Sequence, residues 1–203
     1  MAIQALFPTL VAHVRIRSDQ ALADECQALA ASDAAGRRWS ARHYPGGYTS
    51  YGSLDRLHLV SSVFAGLRRR IDPHVKALAR SLHYDLRGLR LDMTDCWLNV
   101  MPACTAHSGH LHPTSFISGT YYVAVPRGAA ALKFEDPRHS RQMAAPPRRR
   151  DAPQRFRSFV SVRAAAGDLI LFESWLRHEV PAARFAGERV SISFNYGWEK
   201  KRR

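Results

Sequence analysis

Histidines are concentrated in one short segment of the chain, residues 106–113, which reads AHSGHLHP. If this segment is extended, His110 and His112 point to the same side of the backbone, because side chains alternate along a strand. Two imidazoles on one face can bind one transition metal ion. The alternative is two solvated loop histidines, and the H-x-H spacing alone leaves both interpretations open.

A third candidate ligand, His178, lies much later in the chain, in the segment FESWLRHEV at residues 172–180. It stands at the start of a predicted strand, and antiparallel sheets bring such distant segments side by side. A capping or surface histidine is the alternative interpretation of this residue. With His178 the chain offers three imidazoles, and three protein ligands are the usual number in a catalytic metal site.

The last predicted strand alternates polar and apolar residues over positions 189–195. One face would carry Arg189, Ser191, Ser193 and Asn195, and the other Val190, Ile192 and Phe194. The polar face is either an ordinary solvated surface or the lining of a barrel interior. In the second case the Arg189 guanidinium could bind a carboxylate through two hydrogen bonds, and Ser191 could add a hydroxyl.

The elements that must position these residues are strands, because the second half of the chain has a two-residue period. The predicted strands are Leu89–Met101, Ser115–Val125, Ala130–Glu135, Phe159–Arg163, Asp168–Phe172, Glu179–Pro181 and Arg189–Trp198. Many short strands separated by turn residues are typical of a barrel or a double-sheet jelly roll. The segment His139–Arg157 is rich in Pro and Arg and is predicted to be a mobile loop.

The first half of the chain is predicted to be mainly helical, after an opening strand at Leu6–Ile16. Ser18 is the predicted N-cap of a first helix that Gly36 ends. A turn-rich loop with three tyrosines, YPGGYTSYGS, follows at Tyr44–Ser53.

A second helix is predicted from an apolar stripe that runs from Leu57 to Ile71. Asp72 and Pro73 then predict the start of a third helix, because an Asp N-cap followed by Pro is a common helix start. The helices need the sheet to bury their stripes. We therefore predict a single domain over residues 1–203, with a mainly helical part at 1–88, a β core at 89–198 and a basic tail at 199–203.

Composition excludes several classes of protein. Hydrophobic residues make up 46% of the chain, which is enough for a core, so a disordered chain is not expected. No stretch reaches the roughly 18 apolar residues of a membrane span. The N-terminus lacks the basic start of a signal peptide, which favours a cytoplasmic protein. The three cysteines have no C-x-x-C spacing, which argues against a disulfide framework or a cysteine zinc site.

The net charge of +13 is concentrated late in the chain. Residues 138–157 hold seven Arg and one Asp, and residues 200–203 are all basic. Such a field could attract nucleic acid or an acidic partner, and a basic nucleic-acid-binding β-barrel module is therefore a rival interpretation. The simpler alternative is an arginine-rich composition without functional meaning.

Taken together, these motifs resemble the iron(II)- and 2-oxoglutarate-dependent oxygenases of the double-stranded β-helix fold. The matching segments are WLNVM (97–101), HLHP (110–113), SGTYYV (118–123), FEDPR (134–138), GDLILFESWLRHEV (167–180) and ERVSISFN (188–195), together with the loop YPGGYTSY (44–51). The resemblance implies a mainly β jelly-roll core, similar to that of the cupins, with N-terminal helices packed on one sheet. Each segment is a weak signature, and their order along the chain carries the specificity.

Carried over by position, the resemblance implies that His110 and His178 bind the metal and that Arg189 and Ser191 bind the far carboxylate of 2-oxoglutarate. Asn99 and Tyr122 resemble further cofactor-binding positions of the cavity.

His112 stands where the broad superfamily has Asp or Glu, a departure that leaves three interpretations. His112 is the third metal ligand; or Glu135, Asp136 or a water replaces it; or the site no longer turns over with 2-oxoglutarate. The first is the hypothesis we adopt, while His107 is expected to lie outside the ligand set. Unlike a carboxylate, an imidazole would not cancel charge on the iron.

The resemblance implies an oxidoreductase with Fe(II), 2-oxoglutarate and O2 as cofactor and cosubstrates. A dioxygenase of this hydroxylase type releases succinate and CO2 while it oxidises a substrate C–H bond. The substrate class is left open among a peptide, an amino acid and a small acidic molecule, with residues 44–53 and 138–157 expected to frame the entrance. A three-histidine, cupin-like dioxygenase that does not use 2-oxoglutarate is the closest alternative. No membrane partner is expected, and a homodimer is compatible with the sequence.

Overall fold

The computed structural model describes residues 1–17 and 19–200. In that part of the chain the strands are β1 (Val11–Arg15), β2 (Tyr48–Thr49), β3 (Leu89–Pro102), β4 (His107–His110), β5 (Ile117–Ala124), β6 (Leu132–Glu135), β7 (Phe159–Val162), β8 (Asp168–Glu173), β9 (His178–Val180) and β10 (Glu188–Lys200). The helices are α1 (Gln20–Ser32), α2 (Ala34–His43), α3 (Leu57–Val60) and α4 (Ser62–Ser81). Two single 3₁₀ turns, His139–Arg141 and Gln154–Phe156, lie within the predicted Pro- and Arg-rich loop.

Two antiparallel sheets form the core. The major sheet has the strand order β1-β8-β5-β10-β3-β2, and the minor sheet has the order β4-β9-β6-β7. Both are built from strands that are far apart in sequence, as a double-stranded β-helix requires. The predicted mainly β fold with flanking helices is therefore confirmed.

The alternation of side chains separates the two faces of the major sheet. Ile192 and Phe194 of β10 pack on the helix side with Tyr121 of β5, and all three are at most 1% exposed. On the other face, Tyr122 and Phe172 pack against Leu132, Phe134 and Val180 of the minor sheet. The space between the sheets is thus the barrel interior, and the polar residues of β10 share it.

Helix α4 corrects the prediction that Asp72 and Pro73 start a third helix. The helix runs unbroken through Pro73, and its buried stripe includes Ile71 and Val75 on either side of the proline. Both residues are 0% exposed, so packing on the sheet offsets the one backbone hydrogen bond that the proline removes. The hydroxyl of Tyr196 also donates to Asp72 at 2.5 Å.

Gly36 does not end the first helix, which is a second correction. Helix α1 ends at Ser32, and Asp33 is both its C-cap and the N-cap of α2. The Asp33 carboxylate accepts a hydrogen bond from the Gly36 amide at 2.8 Å. A Cβ on Gly36 would lie 2.1 Å from that carboxylate, so the glycine makes room for the cap instead of breaking a helix.

The start of the chain also differs from the prediction in detail. The opening strand covers Val11–Arg15 only, and the short strand β2 lies inside the predicted loop at residues 44–53. Asp19 caps α1 by accepting from the Ala21 amide, while the predicted cap Ser18 lies outside the described residues. No helix in residues 1–17 and 19–200 is long and apolar enough to cross a membrane.

Candidate metal and cosubstrate site

Three imidazoles converge at the edge of the minor sheet. His110 ends β4, His178 begins β9, and the two residues are direct partners in the pairing of these strands. His112 follows two residues after His110, and its amide donates to the Ser174 carbonyl at 2.9 Å. Ligand nitrogens of the three rings lie within 4.8 Å of one another, which is close enough for one metal ion.

Backbone carbonyls orient two of the rings. Nδ1 of His110 is 2.8 Å from the Ser108 carbonyl, and Nδ1 of His178 is 2.8 Å from the Leu176 carbonyl. A carbonyl only accepts, so each Nδ1 carries the proton and donates. The other nitrogen, Nε2, is left with its lone pair available to a metal, which is the arrangement found around metal-binding histidines.

Burial keeps these imidazoles neutral. It lowers the pKa of His112 to about 4 and that of His178 to about 3, and the neighbouring imidazoles add to the effect. The pKa of His110 is also lowered, chiefly by burial; the hydrogen bond with the Ser108 carbonyl opposes this shift and the Arg177 guanidinium adds to it. Neutral imidazole is the form that binds a metal, so the cluster is ready to accept a cation at neutral pH.

A buried guanidinium lies in the same cavity. Arg189 is 3% exposed and lines the cavity together with the three imidazoles. It donates from Nη1 to the Met101 sulfur at 3.1 Å and lies 5.0 Å from the centre of the Tyr122 ring. Within residues 1–17 and 19–200 it makes no ion pair with a carboxylate. A buried charge without a counter-ion is costly, so this cavity is suited to an anionic ligand.

Unsatisfied polar atoms support the same conclusion. In the described part of the chain, five buried side-chain N or O atoms have no hydrogen-bond partner. Four of them belong to cavity residues or to residues packed around Arg189: Tyr44 Oη, Asn99 Oδ1, Tyr122 Oη and Arg189 Nε. Three of these four atoms, Tyr44 Oη, Tyr122 Oη and Arg189 Nε, are donors, and a ligand with several oxygen atoms would satisfy them, whereas Asn99 Oδ1 only accepts.

The polar face of β10 lines the barrel interior and is not an ordinary solvated surface. Of the two interpretations that the sequence left open, the structure supports the second, the lining of a barrel interior. Ser191 and Ser193 line the cavity, and Ser193 accepts from the Asn99 amide at 3.1 Å. Asn195 is 5% exposed and accepts from the Ser118 hydroxyl at 2.8 Å. These bonds fix the cavity wall and leave the Ser191 hydroxyl beside Arg189.

The carboxylates considered as substitutes for His112 are held elsewhere. Glu135 forms an ion pair with Arg177 at 3.1 Å, and Asp136 forms one with Arg138 at 2.9 Å. Among the described residues, the one cluster of three or more metal-binding side chains consists of the three histidines and includes neither carboxylate. The geometry therefore favours His112 as the third donor.

Sequence reasoning did not identify Trp97 and Met101 as cavity residues, and it did not predict where His107 and Tyr44 lie. Trp97 and Met101 line the cavity on either side of Asn99, and the two-residue period of β3 would have identified both. His107 lies with its ring centre 4.5 Å from that of His110, and burial lowers its pKa to about 4. Tyr44 lies 5.2 Å from His107, between ring centres, and no local pattern in the loop predicted this contact.

Comparison with known families matches the part of the chain that builds this cavity. A family described as "Putative 2OG-Fe(II) oxygenase" matches residues 95–195. That range contains the three clustered imidazoles and Arg189. Comparison with curated proteins finds no match.

Solved structures share the fold at low sequence identity. A prolyl-4-hydroxylase from Pseudomonas putida is 18% identical, with 96% of this chain and 94% of that chain covered and a TM-score of 0.58. HygX from Streptomyces hygroscopicus, solved with nickel and 2-oxoglutarate, is 13% identical, with 93% and 83% covered and a TM-score of 0.60. SnoN, an alpha ketoglutarate dependent epimerase from nogalamycin biosynthesis, is 17% identical, with 96% and 79% covered and a TM-score of 0.61.

Proposed function

Because the chain belongs to the 2OG-Fe(II) oxygenase family, whose members use Fe(II), 2-oxoglutarate and O2, we propose that it is a hydroxylase acting on a substrate C–H bond. His110, His112 and His178 would hold the iron. Arg189, Ser191, Tyr122 and Asn99 would bind 2-oxoglutarate. When bound, the iron would activate O2, which is the oxidant, while 2-oxoglutarate supplies two electrons and is released as succinate and CO2.

One observation carries the proposal: a buried guanidinium without a carboxylate partner in the described residues shares a cavity with three neutral imidazoles. The imidazoles fit a divalent cation and Arg189 fits an anion. A dianionic 2-oxo acid is a ligand that satisfies both at once. Its far carboxylate would compensate Arg189, and its 2-oxo acid end would face the histidines.

The chain's own residues then have three tasks. The Ser108 and Leu176 carbonyls keep the His110 and His178 rings in the metal-binding tautomer. Leu132 and Phe172 make one wall of the cavity apolar and exclude water from the reacting groups. The hydroxyls of the β10 wall hold the cosubstrate in one orientation.

The substrate we propose is a peptide, an amino acid or a small acidic molecule. Support comes from a half-exposed cationic side chain next to the metal cluster: the Arg177 guanidinium, which forms an ion pair with Glu135, packs so close to Gly109 that an added Cβ there would lie 2.9 Å from it. The fold neighbours include a prolyl hydroxylase and an epimerase, so hydroxylation is the outcome we propose and not one that the fold dictates.

The proposal is tested by measuring succinate formed from 2-oxoglutarate by the iron-loaded protein, with Arg189→Ala and the exposed control Arg148→Ala. Loss of a charge-assisted pair of bonds worth roughly 1.5–3 kcal/mol should weaken 2-oxoglutarate binding about tenfold to a hundredfold. Iron content should be unchanged in both variants. A wild-type protein that retains iron but neither binds nor decarboxylates 2-oxoglutarate would instead be a three-histidine dioxygenase without this cosubstrate.

A further inference from the structure

Tyr44 occupies a buried position that the proposed chemistry has not yet used. It follows α2, is 5% exposed, and its ring centre is 5.2 Å from that of His107. Its hydroxyl is buried and has no hydrogen-bond partner within residues 1–17 and 19–200. A buried phenol normally finds a partner, so this hydroxyl is available to a ligand.

Tyr44 lies in a buried cluster that also contains residues in contact with Arg189. Tyr44 belongs to the same buried cluster as Met101, which accepts from Arg189, and Tyr122, whose ring lies under Arg189. The Arg189 charge acts on the Tyr44 phenol, although burial dominates and raises the pKa of Tyr44. The phenol therefore stays protonated and can only donate to an anion in this place.

The position of the Tyr44 ring explains why two glycines follow it in the loop motif YPGG. A Cβ on Gly47 would lie 2.5 Å from Cε1 of Tyr44 and 3.0 Å from the Thr105 methyl group, so no larger residue fits there. Gly46 has a φ of +82°, which glycine adopts at little cost. The Gly47 amide closes the turn by donating to the Tyr44 carbonyl at 3.1 Å. Both glycines thus hold the Tyr44 ring beside His107, which lines the cavity.

We propose that the Tyr44 hydroxyl donates a hydrogen bond to the far carboxylate of 2-oxoglutarate, beside Arg189 and Tyr122. This inference rests on the proposed function and adds a cosubstrate-binding group from the N-terminal half of the chain, outside the matched residues 95–195. Two phenols and one guanidinium then recognise the far carboxylate. The loop at residues 44–53 consequently distinguishes a 2-oxo diacid from a 2-oxo monoacid.

Anaerobic binding titrations of the iron-loaded protein test the inference. Two ligands are compared: 2-oxoglutarate, and 2-oxobutyrate, which lacks the far carboxylate. Tyr44→Phe keeps the ring and removes the hydroxyl, and should weaken 2-oxoglutarate binding about fivefold to tenfold, which is the effect of one hydrogen bond. Binding of 2-oxobutyrate should be unchanged, because this ligand has no group at that point.

The matched control is Tyr121→Phe. Tyr121 precedes Tyr122 in β5 and packs on the helix side of the major sheet, so this variant removes a buried tyrosine's hydroxyl away from the cavity. It should bind both acids like the wild type. The inference is overturned if Tyr44→Phe binds 2-oxoglutarate like the wild type, or if it loses affinity for both acids equally, which would indicate a structural role. If the wild type itself binds neither acid, the proposed function fails and the inference fails with it.

Discussion

At the scale of single residues, burial has opposite consequences for the imidazoles and for the Arg189 guanidinium: the imidazoles lose their charge and the guanidinium keeps it. Burial lowers the pKa of His112 and His178 to about 4 and about 3, so both remain neutral donors. A guanidinium keeps its charge in proteins, so burial of Arg189 creates a demand for an anion instead. A third imidazole in place of a carboxylate leaves the charge of a bound iron uncompensated by the protein. An anionic cosubstrate then supplies that compensation.

Alanine substitutions should separate the ligands from the neighbouring imidazole. We expect His110→Ala, His112→Ala and His178→Ala to lose stoichiometric iron, because each removes one of three protein ligands. His107→Ala should retain it, since His107 lies outside the three-histidine cluster. Iron content after anaerobic reconstitution and desalting measures this. Iron retained by His112→Ala but lost by His107→Ala would contradict the assignment of the third ligand.

At the scale of elements, the central strands of the major sheet position the cavity wall. β5 lies between β8 and β10, and Gly119 of β5 lies opposite Leu171 and Phe194 of these two strands. A Cβ on Gly119 would lie 2.6 Å from both side chains and 2.8 Å from the Ile170 carbonyl. The glycine therefore permits the close packing on which the positions of Ser118 and Thr120 depend.

We predict that Gly119→Ala lowers the free energy of unfolding by about 1–3 kcal/mol, the usual cost of overpacking a well-packed core. Gly66→Ala is the matched control, because Gly66 lies within α4 and its added Cβ would meet nothing closer than 3.7 Å. That variant should be stabilised by up to about 1 kcal/mol through helix propensity. Urea denaturation measures both, and equal stabilities for the two variants would contradict the packing argument.

Local patterns predicted the long strands of the second half of the chain well, but not the short strands β2 and β4, and they predicted the helix boundaries poorly. The two-residue period identified β3, β5 and β10 to within two residues at each end, because each has one apolar face toward the helices. Pro73 and Gly36 were misread as boundaries, since tertiary packing and an Asp33 cap override their usual preferences. The H-x-H spacing predicted that the His110 and His112 imidazoles lie close enough to bind one metal ion, as they do.

Other features of the site lay beyond local pattern. The approach of His178 depends on the pairing of β9 with β4, and the burial of Tyr44 depends on contacts with strands far along the chain. Sequence reasoning offered His178 as a candidate ligand with a capping or surface histidine as the alternative, and the strand pairing decided between them. The burial of Tyr44 was found only in the structure. The organisation of residues 1–203 as one oxygenase domain stays a prediction.

At the scale of the whole molecule, the helices cover one face of the major sheet, the minor sheet covers the other, and positive charge is concentrated at one loop. Residues 138–157 contain seven arginines. Arg149 pairs with Asp151, whereas Arg148 and Arg150 make no ion pair in the described part of the chain. All three are exposed and lie in the segment between β6 and β7, not in the wall of the metal cavity.

We expect the triple change of Arg148, Arg149 and Arg150 to Gln to lower the salt concentration that elutes the protein from heparin. Binding of exposed arginines to a polyanion is electrostatic and falls steeply with salt. Iron content and 2-oxoglutarate affinity should not change. Loss of either would place this segment in the catalytic site, and metal-independent, tight binding to nucleic acid would favour the rival basic-module interpretation.

The most direct test of the account is an anaerobic titration of the iron-loaded protein with 2-oxoglutarate, followed by the visible charge-transfer absorption of an iron-bound 2-oxo acid. The account predicts a band that saturates at one equivalent per chain, is absent from His178→Ala, and requires far more ligand in Arg189→Ala. Iron-loaded wild-type protein that develops no band at any 2-oxoglutarate concentration would contradict it.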